Sequence, residues 1–474
     1  MKKVFVGFLL AFAGNIVNAQ SKMATVTIDI TPSKANTIWV RDANGGLVAP
    51  QKSKDGKYSF QITKDLPQEI RMGIDSPQKG SLILFLENGD DLKIKTDFDK
   101  QTSFSGKGKE NNRVLNECNA RYAEGYAKLD GKMGYDKILD QWTGLVQQML
   151  DTIKANKKIL TPAFYNEKVV SLPYQKIGTA QYIAYIYTIT TDASLRRKLS
   201  EVLTEPFWNL VKGVQLDEKL LVNKSYKNFI AFTYPTILRW QELKRTGRLD
   251  DTTMTGQEKT MLQYRLIESN YTGKLRSTAL GKQLDNMLEN AKDVKTLKPL
   301  LDEYIAKYPG ASDIKDLQAK YEKVSKLAAG QTPPPFDLTD LNGNKVSLKD
   351  FAGKVVYIDF WASWCGPCRY EMKNGSPKLH EQFKDNKDVV FLYISVDSDE
   401  EKWKKAINDD HIEGVHTLSK ATSGLSSPAA QTFNISGIPH YVLIGRDGKI
   451  LDNDVTRPSQ PETVQKINDA LKGS

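Results

Sequence analysis

The sequence is poor in cysteine, with only three in 474 residues. Scaffolds held by disulfides are small and dense in cysteine, so this protein is not one of them and must fold around hydrophobic cores. At roughly 100 to 200 residues per domain, a chain of this length is expected to form two to four domains. Cys118 stands alone, whereas Cys365 and Cys368 lie three residues apart, and that pair requires its own explanation.

Other absences exclude whole classes of function. The net charge of +10 could favour contact with acidic surfaces, but no basic tract with interleaved aromatic residues is present, which argues against nucleic-acid binding. Beyond the N-terminus no stretch approaches the roughly 20 apolar residues that cross a bilayer, so no integral membrane segment is expected in the mature chain. No internal repeat is found, which leaves a solenoid unsupported.

The first residues have the pattern of a targeting segment. Two lysines precede a short apolar run over residues 4–13, and Val17-Asn18-Ala19 ends in a small residue. This pattern predicts a signal peptide over residues 1–19 that is cleaved before Gln20, and hence a periplasmic protein. The alternative is an uncleaved segment that anchors the N-terminus. No cysteine follows the apolar run, which excludes lipid attachment there.

Residues 21–105 carry the pattern of β-strands. Val26, Ile28 and Ile30 alternate with polar residues, as in a half-buried strand. Turn signals such as Asn88-Gly89-Asp90 separate this run from others like it. Many short strands at even spacing predict an antiparallel sandwich or barrel, for which the sequence indicates no ligand.

Residues 108–328 carry a helical pattern instead. Apolar residues between positions 138 and 150 recur with a 3.6-residue period, which predicts amphipathic helices and a central all-α region. A stripe that includes Tyr182, Ile183 and Ile186 could line a binding groove, but a helix–helix core is the favoured interpretation.

A change of composition marks the last boundary. Residues 329–335 end in three consecutive prolines, which cannot continue a helix and favour an extended linker. Residues 336–474 then alternate strand and helix patterns, with buried strands expected at 355–360 and 389–396. The expected fold is therefore multi-domain: an N-terminal antiparallel β domain, a central all-α region and a C-terminal α/β domain.

The pair Cys365 and Cys368 allows three explanations. A structural zinc usually needs four cysteine or histidine ligands, and the four histidines have no finger-like spacing, so no metal is expected. A static disulfide between residues three apart closes a tiny loop and stabilises the fold little. The third explanation, disulfide exchange, accounts for more of the surrounding sequence.

The residues around the pair favour disulfide exchange. The strand at 355–360 leads directly to Cys365, and Gly366-Pro367 suits the first turn of a helix. Cys365 is then expected at a helix N-terminus, where free N–H groups and the helix dipole stabilise a thiolate nucleophile. Cys368, one turn later, is expected to be less exposed and to resolve the mixed disulfide.

Asp359 lies on the same strand, six residues before Cys365. A lone carboxylate in an apolar strand is costly to bury unless it has a role. We therefore expect a buried proton acceptor for Cys368, with a pKa raised by desolvation. The alternative is a side chain at the strand end that faces solvent.

These residues carry a resemblance to the thioredoxin superfamily. Residues 359–368 (DFWASWCGPC) are close to the thioredoxin active-site sequence, and Ser436-Gly437-Ile438-Pro439 matches the family's cis-proline motif. Thioredoxin usually has Thr where this chain has His440, which would either titrate beside the sulfurs or cap an edge. The resemblance implies a thioredoxin fold for residues 336–474 and a substrate-binding surface. That surface comprises Trp364, Gly366, Pro367, Ile438, Pro439 and His440.

More narrowly, the C-terminal region resembles exported TlpA/ResA-like thiol–disulfide oxidoreductases of the AhpC/TSA–redoxin grouping. Residues 336–348 resemble their N-terminal hairpin, and Arg369-Tyr370-Glu371-Met372 resembles a stretch whose glutamate tunes the active-site thiols in ResA-like proteins. The resemblance therefore assigns thiol tuning to Glu371. The alternative is an exposed glutamate in the first helical turn, favoured there by the helix dipole.

The chain departs from that family in one place. Lys373 stands where these proteins often have Pro, and Asn374-Gly375-Ser376-Pro377 follows, which predicts a broken or kinked helix. Residues 86–90 and 105–111 more loosely resemble an uncharacterised β domain that precedes such modules in secreted bacterial proteins.

The resemblance implies a protein-disulfide reductase that needs no cofactor. The Gly-Pro between the cysteines is similar to that of reducing thioredoxins, whose potential is about −270 mV, so a periplasmic reductase of exported protein disulfides is expected. It would draw electrons from a membrane donor. The resemblance suggests apocytochrome c among the substrates, and hence a role in cytochrome c maturation.

Two other functions are kept as alternatives. Peroxiredoxins place Thr or Ser three residues before the reactive cysteine, after a Pro; Ala362 occupies that position here, which disfavours a thiol peroxidase. The long front could instead make this a partner-binding or chaperone-like protein with an accessory redox domain.

Cys118 shares a predicted helix face with Val114, Leu115 and Tyr122, as expected for an inert buried thiol. Intermolecular pairing is the alternative role for Cys118.

Overall fold

The structure, a computed structural model, covers most of the chain beyond the predicted signal peptide. That peptide, residues 1–19, lies outside the described residues. The chain divides into two compact units, one of Met1–Val214 with Asn223–Tyr226 and one of Gln215–Val222 with Lys227–Ser474. The described residues are 23–30, 38–43, 46, 48–63, 66–74, 81–98, 101–128, 133–190, 194–291, 294–421 and 425–473.

The first unit begins with short strands in which buried and less buried side chains alternate, as on a pleated sheet with one face in a core. A five-stranded sheet has the order β3-β4-β1-β7-β8, and a three-stranded sheet has the order β2-β5-β6. The strands are β1 Ala24–Ile30, β2 Ile38–Arg41, β3 Gln51–Lys52, β4 Tyr58–Ile62, β5 Gln68–Ile74, β6 Ser81–Leu86, β7 Asp91–Thr96 and β8 Thr102–Lys107.

Both sheets contribute to one hydrophobic core, with Val26 from the larger sheet and Met72 from the smaller. Every neighbouring pair of these strands is antiparallel except β1 and β7, which are parallel, with Val26 opposite Leu92. The predicted antiparallel β domain is therefore confirmed, with one parallel pair that the strand patterns did not indicate.

Helices follow the last strand directly. They pack on β6 through a second core that includes Phe85. The Asn111 side chain donates hydrogen bonds to Glu87 and to Thr161, each at 2.8 Å, so the two motifs that resembled an uncharacterised β domain join that domain to its helices. The helices are α1 Lys109–Tyr126, α2 Tyr135–Ala155, α3 Pro162–Ile189, α4 Leu199–Val202 and α5 Glu205–Val211.

The stripe on α3 is only partly a core. Ile183 packs against the second core, as the favoured interpretation expected. Tyr182, however, is 58% exposed, and Ile186 is also exposed. The stripe therefore straddles the border between the interior and the surface of this unit.

The predicted all-α region continues beyond α5 and is confirmed. A π-helical turn, Phe229–Thr233, separates α6 from α7, and 3-10 turns lie at Glu218–Val222 and Val294–Leu297. The helices are α6 Lys224–Asn228, α7 Tyr234–Arg245, α8 Gly256–Asn270, α9 Gly273–Glu289, α10 Lys298–Lys307 and α11 Ile314–Ser325.

The C-terminal part of the second unit has the predicted α/β thioredoxin fold. Its sheet has the order β10-β9-β13-β12-β11-β14-β15, with β11 in the interior, parallel to β12 and antiparallel to β14. The strands are β9 Leu338–Asp340, β10 Lys345–Val346, β11 Val355–Trp361, β12 Val389–Ser395, β13 Val415–Leu418, β14 His440–Ile444 and β15 Ile450–Asp452. The helices are α12 Gly366–Asn374, α13 Ser376–Phe383, α14 Glu400–Asp410, α15 Pro428–Thr432 and α16 Pro461–Lys472, with a 3-10 turn at Leu348–Phe351.

The chain ahead of this sheet is attached to its edge. The Gly330 N–H donates to the Ile450 carbonyl and the Ile450 N–H donates to the Gln331 carbonyl, each at 2.8 Å. Leu327 is buried in the same core as β11. The segment predicted as a linker therefore starts in contact with the domain that follows it.

Candidate active site

The two cysteines lie at the turn between strand β11 and helix α12. Every residue of β11 is buried, and the chain turns after Trp361 so that Cys365 caps the N-terminus of α12. Gly366 and Pro367 form the first turn of that helix, as the sequence predicted. Cys365 and Cys368 form a disulfide, and the Cys368 N–H donates to Cys365 Sγ at 3.2 Å. This N–H, at a helix N-terminus, is the kind of donor that stabilises a thiolate in the reduced protein.

The predicted substrate-binding residues lie around this turn. Trp364 is 57% exposed, and Gly366 and Pro367 are exposed as well. The Ile438–Pro439 peptide is cis, as the resemblance implied. Because Phe360 is paired with His440, the end of β11 and the start of β14 lie at the same end of the sheet. The predicted residues that follow β11 or adjoin the start of β14 therefore border that end of the sheet: Trp364, Gly366, Pro367, Ile438, Pro439 and His440.

Asp359 is the buried carboxylate that the sequence predicted. It is 1% exposed, and within the described part of the chain neither of its oxygens has a hydrogen-bond partner. Its direct neighbours across the strands are Tyr393 on β12 and Tyr441 on β14. Desolvation, and secondly the charge of Glu371, raise the pKa of Asp359 well above its ordinary value. The interpretation of Asp359 as a solvent-facing side chain is wrong.

Glu371 is also buried, at 4% exposure, so the interpretation as an exposed first-turn glutamate is wrong. Ser459, in the loop before α16, donates to it twice: from its N–H to Oε2 at 3.2 Å and from its Oγ to Oε1 at 3.0 Å. The Arg457 guanidinium lies 3.9 Å from Oε1. The sequence did not single out Arg457 or Ser459, because nothing in their own neighbourhood marks them as partners of α12.

His440 opens β14, an interior strand of the sheet, which disfavours the edge-capping interpretation. Burial lowers the pKa of His440, while Asp454, the Asn453 carbonyl and Asp452 act in the opposite direction. The imidazole is therefore neutral at neutral pH. Its Nε2 has no partner among the described residues.

A second buried carboxylate holds the active-site turn. Asp397, just beyond β12, accepts hydrogen bonds from the Ser363 N–H at 2.8 Å, the Ser363 hydroxyl at 2.7 Å and the Ser395 hydroxyl at 2.8 Å. The role of Asp397 was not predicted from the sequence, although Asp397 carries the same signal as Asp359: a lone acidic residue adjoining an apolar strand.

An ion-pair cluster ties α12 to α14. The Arg369 guanidinium binds the buried Asp410 carboxylate with two hydrogen bonds, one of them at 2.7 Å, and Lys373 lies 2.9 Å from the same carboxylate. Lys373 thus has a partner at the position where the family often has Pro. The helix breaks at Gly375, between α12 and α13, as that departure predicted.

The third cysteine lies in the other unit. Cys118 is buried in α1, and its Sγ lies 3.9 Å from the Met149 carbonyl oxygen. Burial raises the pKa of the Cys118 thiol to about 11. Within the described ranges, no group of three or more His, Cys, Asp or Glu side chains is placed to hold a metal ion. No helix in the described part of the chain is long and apolar enough to cross a membrane.

Comparison with known proteins identifies the family of the C-terminal region. A family model described as Redoxin matches residues 328–471. The thiol–disulfide oxidoreductase ResA of Bacillus cereus is 30% identical over 155 residues, which are 32% of this chain and 84% of that protein. The thioredoxin-like protein YneN of Bacillus subtilis is 30% identical over 152 residues, 31% of this chain and 86% of that protein.

A solved structure, the thioredoxin domain of a thiol–disulfide oxidoreductase from Bacteroides vulgatus, is 34% identical. The match covers 30% of this chain and 97% of that one, with a TM-score of 0.27. The sequence matches to ResA and YneN span most of both relatives. The chain therefore belongs to the thioredoxin superfamily as a TlpA/ResA-like protein, and it is a thiol–disulfide oxidoreductase.

Proposed function

We propose that this protein is a periplasmic disulfide reductase that acts on exported proteins through Cys365 and Cys368. The observation that carries the proposal is the position of the pair. Cys365 caps the N-terminus of α12, and the neighbouring Cys368 lies fully buried in the domain core, to which the Asp359 strand also belongs. A nucleophile at a helix N-terminus, a buried resolving thiol and a buried proton acceptor are the three parts that dithiol exchange requires.

Reduction proceeds in two exchanges. The Cys365 thiolate attacks one sulfur of the substrate disulfide, forming a mixed disulfide, and the other substrate sulfur leaves as a thiolate that takes a proton from water. Cys368 then gives its proton to Asp359 and attacks Cys365 Sγ. The remaining substrate sulfur leaves as a thiolate that is protonated in turn, and the Cys365–Cys368 disulfide forms. Two electrons have passed from the dithiol to the substrate.

The surface around the cysteines orients the substrate. Trp364 offers an exposed aromatic face beside Cys365, and Ile438, before the cis-proline, lies at the same end of the sheet. His440 is neutral at neutral pH, so it adds no charge that would repel or attract the approaching sulfurs. A reductase in an oxidising compartment also needs an electron source, for which we propose a membrane donor, and apocytochrome c is a candidate substrate.

Insulin reduction by dithiothreitol tests the activity. The full chain should accelerate precipitation of the insulin B chain, and Cys365→Ser should abolish the acceleration. Cys118→Ser is the matched control, because that thiol is buried and its pKa is raised, and it should match the wild type. Undiminished activity in Cys365→Ser would refute the proposal.

A second candidate function concerns the part of the chain ahead of the Redoxin match, which begins at residue 328. We propose that this front recruits substrates to the redox domain. A fragment that begins at Lys326 keeps Leu327 in its core and the edge pairing at Gly330 and Gln331. If this fragment reduces native substrates as well as the full chain does, the front has no recruiting role. A thiol peroxidase remains disfavoured by Ala362, which has no hydroxyl, and peroxide turnover by the purified chain would revive it.

A further inference from the structure

Glu371 and Asp359 are two buried carboxylates, and the charge of Glu371 raises the pKa of Asp359. Within the described residues Asp359 has no hydrogen bond, whereas Glu371 accepts two from Ser459 and lies near Arg457. Hydrogen bonds donated to a carboxylate, and a nearby cation, stabilise its charged form over its neutral form. These partners therefore fix the position of the Glu371 carboxylate, whereas no described residue holds the Asp359 oxygens in this way.

We infer that Ser459, together with the helix break at Gly375, is a positioning element that holds the Glu371 carboxylate where its charge acts on Asp359, the proton acceptor of Cys368. This inference rests on the proposed function, because it concerns the proton that Cys368 gives to Asp359. Ser459 lies outside the cysteine motif, in the loop before α16, 88 residues after Glu371 along the chain.

The helix break makes room for this arrangement. A Cβ added at Gly375 would lie 2.6 Å from Glu371 Oε2 and 2.8 Å from the Ser459 nitrogen, closer than real Cβ contacts. The backbone of Gly375 is right-handed, with φ −95° and ψ −54°, so an alanine is excluded by its surroundings and not by its backbone. The interruption between α12 and α13 thus lets the loop before α16 reach the carboxylate.

The loop itself is held in place. The Tyr357 hydroxyl donates to the Thr456 carbonyl at 2.9 Å, and the buried Thr463 hydroxyl lies within hydrogen-bonding distance of the Thr456 and Arg457 carbonyls, at 3.0 and 2.6 Å. Ser459 is therefore presented to Glu371 by contacts from both β11 and α16. A donor fixed in this way does not need to reorganise when the charge distribution of the pair changes.

Few other charges act on this pocket. Burial raises the pKa of each tyrosine facing it, so these side chains are neutral at neutral pH. Among the described groups that act on it, three carboxylates and one guanidinium can then carry charge. The groups are Tyr357 and Asp359 from β11, Tyr393 from β12, Tyr441 from β14, Glu371 from α12, Arg457 from the loop before α16 and Glu413, which follows α14 and acts on Tyr393.

The test uses the full chain in a Cys118→Ser background and 5,5′-dithiobis(2-nitrobenzoate). In stopped flow, attack by Cys365 on this disulfide releases one nitrothiobenzoate, and attack by Cys368 on the resulting mixed disulfide releases the second. The pH midpoint of the second phase reports the proton acceptor of Cys368, and the first phase is an internal control for Cys365.

Ser459→Ala should move the second-phase midpoint to lower pH by about one pH unit, because Glu371 loses the hydroxyl that holds it where its charge raises the pKa of Asp359, and should leave the first phase unchanged. Glu371→Gln should move it in the same direction, and Ser459→Thr, which keeps both donors, should retain the wild-type midpoint. Gly375→Ala should act like Ser459→Ala, whereas Gly310→Ala, where an added Cβ meets open space, should have no effect.

The inference is overturned if Ser459→Ala keeps the wild-type midpoint while Glu371→Gln shifts it, or if Ser459→Thr shifts as far as Ser459→Ala. Those results would leave the proposed function intact. A wild-type protein that releases no second nitrothiobenzoate would instead overturn the proposed function, and the inference with it.

Discussion

Two aspartates are buried beside neighbouring strands of the thioredoxin-like sheet, and their surroundings are opposite. Asp397, beyond the end of β12, accepts three hydrogen bonds from Ser363 and Ser395. Asp359, within β11, has no partner for either oxygen among the described residues. A buried carboxylate with donors on all sides is a structural anchor, whereas one without donors binds a proton instead. The contrast separates the region that shapes the active-site turn from the region that exchanges protons with it.

Removing the anchor should have the largest effect. Asp397→Ala leaves the buried Ser395 hydroxyl and the half-buried N–H and hydroxyl of Ser363 without their acceptor, so we expect the free energy of unfolding to fall by about 3 kcal/mol or more. Urea denaturation of the oxidised protein measures it. Asp385→Ala, at an exposed position on the same domain, is the control and should change the free energy by less than about 0.5 kcal/mol. If Asp397→Ala changed the free energy of unfolding as little as Asp385→Ala does, Asp397 would not be a structural anchor and its contrast with Asp359 would be lost.

Removing the proton acceptor should slow the reaction. Asp359→Asn should lower the rate of the second nitrothiobenzoate release by about 100-fold at neutral pH, the size expected for loss of a positioned general base. The first release should keep its rate, since it depends on Cys365. A second phase as fast as that of the wild type would show that Cys368 loses its proton by another route.

The same substitution should stabilise the fold, in contrast to Asp397→Ala. The pKa of Asp359 is raised on folding above the ordinary value of 3.8, so its contribution to stability is complete below the unfolded pKa and is lost as pH rises towards the folded pKa. At neutral pH Asp359→Asn should therefore raise the free energy of unfolding, because the amide carries no charge to desolvate. Urea denaturation at several pH values should show this gap closing as pH falls; a gap independent of pH would contradict the assignment.

The smallest effect is expected at the surface. Trp364→Ala should change the free energy of unfolding by less than about 0.5 kcal/mol, because the side chain is exposed, yet it should raise KM for insulin. Tyr370→Ala removes another exposed aromatic side chain, on α12 but outside the proposed substrate surface, and should leave KM unchanged. An equal rise in KM for both variants would show that the substrate surface is placed wrongly.

How far the sequence predicts the site depends on how local each signal is. Cys365, Cys368 and Asp359 lie within ten residues of one another, so strand pattern, helix start and family motif all bear on them together. Ser459 and Arg457 are joined to Glu371 only through the folded chain, 88 residues away for Ser459, and serine and arginine in a loop carry no pattern of their own. Asp397 is an intermediate case. The strand before it was predicted from the sequence, but its role as an anchor could be recognised only once the fold placed Ser363 against it.

The same reasoning applies to the fold. The alternation of apolar and polar residues predicted strands in the first unit. The parallel pairing of β1 with β7 was not predicted, because it joins segments far apart in the chain and an alternating pattern does not encode which strands pair. The break at Gly375 was predicted from Gly and Pro, while its use, the approach of the loop before α16 to Glu371, required the tertiary structure.

In the proposed mechanism, Cys365 attacks the substrate disulfide and Cys368 resolves the mixed disulfide. The most direct measurement incubates the full-length Cys368→Ser protein with insulin and locates any intermolecular disulfide by mass spectrometry of the non-reduced digest. We expect a stable mixed disulfide between Cys365 and an insulin cysteine. An adduct at Cys118 instead, or no adduct under conditions in which the wild-type protein reduces insulin, would contradict it.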